Sequence, residues 1–131
     1  MNTKLLLITS ALLMAAGGLG LQFAPRELLR YGGYPATGIL PVLVQLLGAL
    51  YLGFALLNWL SKGVRTGGIY ARPLALGNFA HFTVGALTLL KYVAGAPEAG
   101  SIWAFATGYA LLALLFGVVL VTHPFREVLQ E

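Results

Sequence analysis

A histidine and an asparagine lie three residues apart in the segment "LGNFAHFTVG", residues 76–85, which is otherwise almost entirely apolar. An imidazole can donate a hydrogen bond from one ring nitrogen and accept one at the other, and a side-chain amide can do both. Lipid offers neither donors nor acceptors, and so each group needs a partner from the protein or from a ligand. The pair Asn78 and His81 is therefore the first candidate for a polar site.

Helical spacing extends this candidate site along the same segment and into others. Gly77, His81 and Gly85 recur every four residues and share one face of a helix. A similar stripe in the preceding apolar segment is expected to face it, because a short loop makes consecutive helices antiparallel neighbours. The tentative ligand-binding residues are Ser10, Gln45, Tyr51, Asn58, Asn78 and His81, and the predicted packing glycines are Gly48, Gly77 and Gly85.

Two interpretations of these polar residues stay open. Polar side chains between transmembrane helices often serve only to stabilise helix packing through hydrogen bonds. Ionisable or polar groups within a membrane also mark ligand sites and proton pathways. Counting residues from the predicted membrane edges places Ser10, Asn58, Asn78 and His81 in the same half of the bilayer.

Catalytic and metal-binding patterns do not accompany these residues. The chain has no cysteine and no aspartate, which excludes thiol redox centres and thiolate metal sites. Its four glutamates lie outside the apolar segments, at Glu27, Glu98, Glu127 and Glu131. A proton-coupled antiporter needs a carboxylate inside the membrane, and two histidines alone do not build a hydrolytic metal centre. We therefore expect no catalytic residues, no metal and no enzymatic activity.

Haem and quinone are the cofactors that remain open. Bis-histidine haem within one chain requires two imidazoles at one depth, and His123 lies much nearer the membrane surface than His81. We therefore expect no cofactor, and the alternatives are a haem shared between two subunits or a bound quinone.

The elements that position the candidate site are four long apolar segments. The chain is 59% hydrophobic and only 9% charged, whereas soluble domains are about a quarter charged, so the bilayer must be its solvent. The predicted helices are Leu5–Phe23, Ile39–Leu60, Leu74–Ala94 and Ile102–Thr122. At a rise of ~1.5 Å per residue, about 20 residues cross a hydrocarbon core of ~30 Å. The predicted fold class is all-α, an integral membrane four-helix bundle that forms a single domain over residues 1–131.

Basic residues between the segments predict an orientation. One side would carry Lys4, Lys62, Arg65, Arg72 and Arg126, and the other Arg26, Arg30 and Lys91. The excess of basic residues places both termini in the cytoplasm. No run of bases is dense enough for nucleic acid, and we expect the bilayer to be the partner of these charges. A short interfacial helix is also predicted over Glu27–Tyr31.

The first segment has an alternative interpretation. "MNTKLLLITSALLMAAGG" combines a basic start, an apolar stretch and small residues, as a secretory signal does. Its apolar character continues through "LGLQF", which is longer than a signal core. We therefore interpret it as a retained transmembrane helix.

The second and third segments carry a family resemblance. "QLLGALYLGFALLNWLSKG", a basic turn and "RPLALGNFAHFTVGAL" resemble small bacterial four-helix membrane proteins of the DoxX-like kind. The resemblance covers most of the chain, although the first segment lacks the basic residue within the membrane that is typical of DoxX. It implies an integral membrane protein of the bacterial inner membrane and implies no activity.

Two functions follow as expectations. The first is a non-enzymatic accessory or assembly subunit of a larger membrane complex, or a homo-oligomer, because small-residue stripes occur without catalytic groups. The alternative is a protein that binds or transports a lipid, a quinone or another apolar small molecule at a polar site around His81.

Overall fold

A computed structural model of the protein describes residues 3–63, 71–96 and 100–122. These residues form five helices and no strand: α1 (Thr3–Phe23), α2 (Pro25–Tyr31), α3 (Leu40–Ser61), α4 (Ala71–Gly95) and α5 (Gly100–Thr122). The predicted all-α fold class is confirmed. Four of these helices, α1, α3, α4 and α5, are long and apolar enough to cross a membrane.

The helix ends differ from the predicted ends by a few residues. The largest difference is at α4, which begins at Ala71 rather than at Leu74. Pro73 then lies within the first turn, where its missing N–H needs no partner. Pro41 occupies the corresponding place at the start of α3.

The chain divides into two compact units, one within Asn2–Gly63 and one within Val64–Glu131. In the first unit α1 packs along α3, and α2 contacts both helices. In the second unit α4 packs along α5. Each unit is a helical hairpin and is described separately below.

The hairpin of α1 and α3 is held by a contact between two glycines. A Cβ atom on Gly48 would lie 2.9 Å from the backbone nitrogen of Gln22 and 3.0 Å from the carbonyl oxygen of Gly18. A Cβ on Gly18 would lie 2.9 Å from Cγ of Leu52 and 3.0 Å from the carbonyl oxygen of Gly48. Because backbone atoms are among the nearest neighbours at both positions, a methyl group at either would force the helices to shift. Small residues are what allows transmembrane helices to approach this closely.

The short helix α2 joins the two long helices of this unit. It covers the short helix predicted at Glu27–Tyr31, and it begins at Pro25, which is buried together with Leu29. The chain then turns at Gly33, whose φ of +76° is accessible to glycine without steric cost. The N–H of Tyr34 donates to the carbonyl oxygen of Leu29 over 2.8 Å and closes the turn.

The hairpin of α4 and α5 has an aromatic core. The rings of Phe82 and Phe116 stack with centroids 5.8 Å apart, and each side chain is only 1% exposed. Val93 and Ala106 are equally buried. Gly117 makes room for a further ring, since a Cβ there would lie 3.1 Å from the ring of Phe79.

Candidate functional site

Ser10 and Asn58 form a hydrogen-bonded pair inside the first unit. The Asn58 side-chain amide donates to the Ser10 hydroxyl oxygen over 3.1 Å, and the hydroxyl in turn donates to the carbonyl oxygen of Leu7 over 3.1 Å. Both side chains are fully buried. The two residues therefore lie at the same level along the hairpin of α1 and α3, as counting residues along the two helices predicted. The geometry is that of a link between helices, since these groups satisfy one another.

A second polar contact lies nearer to α2. The side-chain amide of Gln45 donates to the backbone carbonyl oxygen of Gln22 over 3.2 Å. The side-chain oxygen of Gln22 is buried and has no hydrogen-bond partner within the described ranges. Tyr51 lies between the two polar contacts along α3, with its ring 3.2 Å from where a Cβ on Gly17 would be. Gln45 and Tyr51 thus belong to the interface of α1 and α3.

The packing partner of the α3 stripe differs from the prediction. Gly48, Ala55 and Asn58 are the face of α3 that is buried, and Gly48 and Asn58 contact α1. We expected this stripe to face the helix that carries His81. A short connection makes two helices neighbours in sequence but does not choose their contact faces. Gly18 and Ser10 decide which face of α3 contacts α1. The backbone at Gly18 lies close to Gly48, and the Ser10 hydroxyl accepts a hydrogen bond from Asn58.

Asn78 lies in the second unit and donates a hydrogen bond to its own helix. Its side-chain amide donates to the carbonyl oxygen of Leu74 over 2.9 Å, and the residue is fully buried. This local bond lowers the cost of placing the amide N–H group in an apolar segment. The bond helps to explain how an asparagine is tolerated on the buried face of α4.

His81 lies in an aromatic cluster with residues from both helices of its unit. Its ring centroid is 5.1 Å from that of Phe82 and 5.7 Å from that of Tyr109. Phe82 and Tyr109 meet edge to face at 5.3 Å. Aromatic pairs at such separations attract one another beyond the effect of burial alone. The imidazole is half-buried, and so one side of it faces outward from this unit.

Gly85 makes room for the tyrosine of this cluster. A Cβ at Gly85 would lie 2.5 Å from two carbons of the Tyr109 ring, Cδ1 and Cε1. A glycine one turn beyond His81 therefore allows an aromatic side chain from α5 to lie flat on α4. Gly77, the other glycine of the predicted stripe, is half-buried on α4.

The buried face of α4 is rotated from the stripe that the sequence suggested. The buried residues of α4 are Ala75, Asn78, Phe82, Ala86 and Val93. The predicted stripe of Gly77, His81 and Gly85 is, by contrast, only half-buried. His81 and Gly85 lie at the edge of the buried face rather than at its centre. The bulky aromatic core residues set this rotation, since Phe82 must reach Phe116.

An open groove runs along the other edge of the contact between α4 and α5. Its volume is about 870 Å³, and nearly all of its lining is apolar, with Phe79 and Leu87 on one side and Leu114 on the other. Thr83 contributes a hydroxyl oxygen that is buried and has no hydrogen-bond partner within the described ranges. Thr88, in contrast, bonds back to the carbonyl oxygen of Val84, four residues earlier.

The sequence did not single out several residues of these sites. Gly18 lay in the run "AAGGLG", which was interpreted only as small residues of the first segment. Tyr109 was missed as well, although a phenol in the middle of an aliphatic segment was a usable signal. Within the described ranges, no group of three or more histidine, cysteine, aspartate or glutamate residues could hold a metal ion. His123, weighed as a haem ligand, lies outside those ranges.

No protein family model, no curated protein and no solved structure matches the chain. The function must therefore be argued from the two hairpins and their polar and small residues.

Proposed function

We propose that the protein is a multi-pass integral membrane protein of the bacterial inner membrane that acts through helix association, as an accessory or assembly subunit or as a homo-oligomer. Four helices that are long and apolar enough to span a bilayer support the membrane location. The proposal gives the protein no catalytic step. The remaining support for the proposal comes from exposed small residues and leucines on α3.

The observation that carries the proposal is a second small-residue stripe on α3. Ala49 and Gly53 are exposed and lie roughly 100° and 140° round α3 from Gly48, away from the face that contacts α1. A Cβ at Gly53 would have no atom within 4 Å. The spacing of one small residue every four is the pattern through which transmembrane helices associate. The inward stripe of α3 contacts α1, whereas the outward stripe of Ala49 and Gly53 is exposed.

Burial within the long helices points to the same surface. Only 17% of the apolar window of α3 is buried, compared with 33% for α1. Leucines flank the outward stripe, and Leu46, Leu50 and Leu56 are each about 60% exposed, at 58%, 62% and 62%. A shallow groove between leucine ridges is a surface on which a second helix packs well. We therefore expect association to use this face of α3.

Native mass spectrometry of the purified protein in detergent and in nanodiscs tests the proposal. We expect an oligomer or a complex with another membrane protein, and we expect Gly53→Leu to reduce it to the monomer. Gly20→Leu is the matched control, because a Cβ at Gly20 also has no atom within 4 Å but lies on α1. A wild-type protein that is strictly monomeric, with no partner protein, would contradict the proposal.

A second function is favoured by the pair His81 and Tyr109. The two rings lie side by side in an apolar span, and both carry polar atoms that suit the head group of a lipid or a quinone. We propose binding of such an apolar small molecule as the alternative. Lipid and quinone analysis of the purified wild type, His81→Phe and Tyr109→Phe tests it. If no molecule is enriched in the wild type, or if the variants retain it fully, the alternative is wrong.

A further inference from the structure

The short helix α2 presents two arginines together on one flank. Pro25 and Leu29 are buried, and Arg26 and Arg30 are exposed and one turn apart, so their side chains are neighbours. Glu27 is also exposed and lies three residues before Arg30, so that it neighbours that arginine as well. The exposed flank of α2 therefore carries two positive charges and one negative charge, and its net charge is positive.

Exposed aromatic residues frame this basic flank. Phe23 ends α1 and is 79% exposed, and Tyr31 ends α2 and is 95% exposed. Aromatic rings are enriched where a membrane helix meets the head groups. Since α2 follows the last turn of α1 after one residue, Ala24, its arginines lie at the end of an apolar span.

We propose that α2 lies in the membrane interface and binds the phosphates of anionic phospholipids through Arg26 and Arg30. A guanidinium matches a phosphate with two parallel hydrogen bonds, and two guanidiniums one turn apart hold one head group or two adjacent ones. Phe23 and Tyr31 enter the boundary between head groups and acyl chains. This inference rests on the proposed membrane location but does not depend on helix association through Gly53.

Native mass spectrometry of delipidated protein tests the proposal by titration with dioleoylphosphatidylglycerol or dioleoylphosphatidylcholine. We expect the wild type to prefer the anionic lipid and Arg26→Gln/Arg30→Gln to lose that preference. The expected loss is about five-fold in Kd per arginine, which is the factor that ~1 kcal/mol per basic residue near a membrane surface represents. Arg26→Lys/Arg30→Lys keeps the charge and should keep most of the preference.

The matched control removes two charges elsewhere, as Lys4→Gln/Lys91→Gln, since both lysines are exposed and lie outside α2. An equal loss of lipid preference in this control would overturn the proposal, because any basic residue would then suffice. Binding of inorganic phosphate in place of the lipid, with the same dependence on the two arginines, would also overturn it. The same spectra report the oligomeric state, and so a failure of helix association is seen separately from a failure of lipid binding.

Discussion

Asn58 donates its side-chain amide to the hydroxyl of Ser10 over 3.1 Å, and both side chains are fully buried between α1 and α3. The Ser10 hydroxyl donates onward to the carbonyl oxygen of Leu7, so that the amide, the hydroxyl and the backbone form a short chain of hydrogen bonds. In an apolar surrounding such a chain fixes which turn of α1 faces which turn of α3. The pair therefore sets the register between α1 and α3 in the first hairpin.

Removal of either partner should weaken the hairpin by a modest amount. For Ser10→Ala and Asn58→Leu we expect a coupling energy of ~0.6 kcal/mol and at most ~1.7 kcal/mol, the range found for hydrogen bonds between membrane helices. A double-mutant cycle measured by unfolding the protein in mixed micelles with SDS gives this value. Strictly additive effects of the two substitutions would show that the hydrogen bond contributes nothing to stability.

A side chain at Gly48 should cost far more than one at Gly53. Gly48→Leu places carbon atoms against the backbone of Gly18 and Gln22 and should destabilise the hairpin by about 1–3 kcal/mol or more. Gly53→Leu enters open space on the same helix and should leave the free energy of unfolding of the monomer nearly unchanged. Both are measured by the same SDS titration. Similar losses in the two variants would mean that α3 is rotated relative to the present description.

Gly85→Leu should lower thermal stability in detergent more than His81→Phe does. The new side chain at Gly85 collides with the ring of Tyr109, whereas a phenylalanine keeps the ring contacts of His81 with Phe82 and Tyr109. The collision is with a side chain, and so it should be relieved by a second change. We expect Tyr109→Ala to destabilise the Gly85→Leu protein less than it destabilises the wild type. Equal destabilisation by Tyr109→Ala in both backgrounds would contradict this contact.

The orientation of the chain is a separate prediction. A reporter fused after Glu131 should be cytoplasmic, and one inserted between Gly95 and Gly100 should be exterior, because the basic residues favour that arrangement. A reporter after Glu131 that is active only outside the cytoplasm would invert the orientation.

The apolar helices could be predicted from the sequence because length and hydropathy alone define them. The four predicted segments differ from α1, α3, α4 and α5 only at their ends. The equal level of Ser10 and Asn58 along the hairpin could be predicted as well, since it needs only the helical rise and the ends of the two apolar segments. Both properties are local to a segment and do not require knowledge of its neighbours.

The contact faces could not be predicted in the same way. Helices that are apolar all round carry no hydrophobic stripe that points to a core, and the choice of face depends on fine steric fit. The glycines of the sequence are ambiguous for this reason: Gly48 contacts the backbone of α1, Gly85 accommodates Tyr109, and Gly53 meets nothing within 4 Å. The sequence does not distinguish these three glycines, because the role of each depends on which atoms of a neighbouring helix lie next to it.

The hydrogen bond of Asn58 with Ser10 and the contact of Gly48 with Gly18 together limit how α1 and α3 can move relative to each other. Ser10 and Gly18 are eight residues apart on α1, and so the hydrogen bond and the glycine contact fasten the pair at points ~12 Å apart along the helix axis. A helix fastened at one point can pivot, whereas one fastened at two can neither pivot nor slide without breaking a contact. The two helices should therefore move as one rigid unit, and motion within this half of the chain should be confined to α2 and the connection around Gly33.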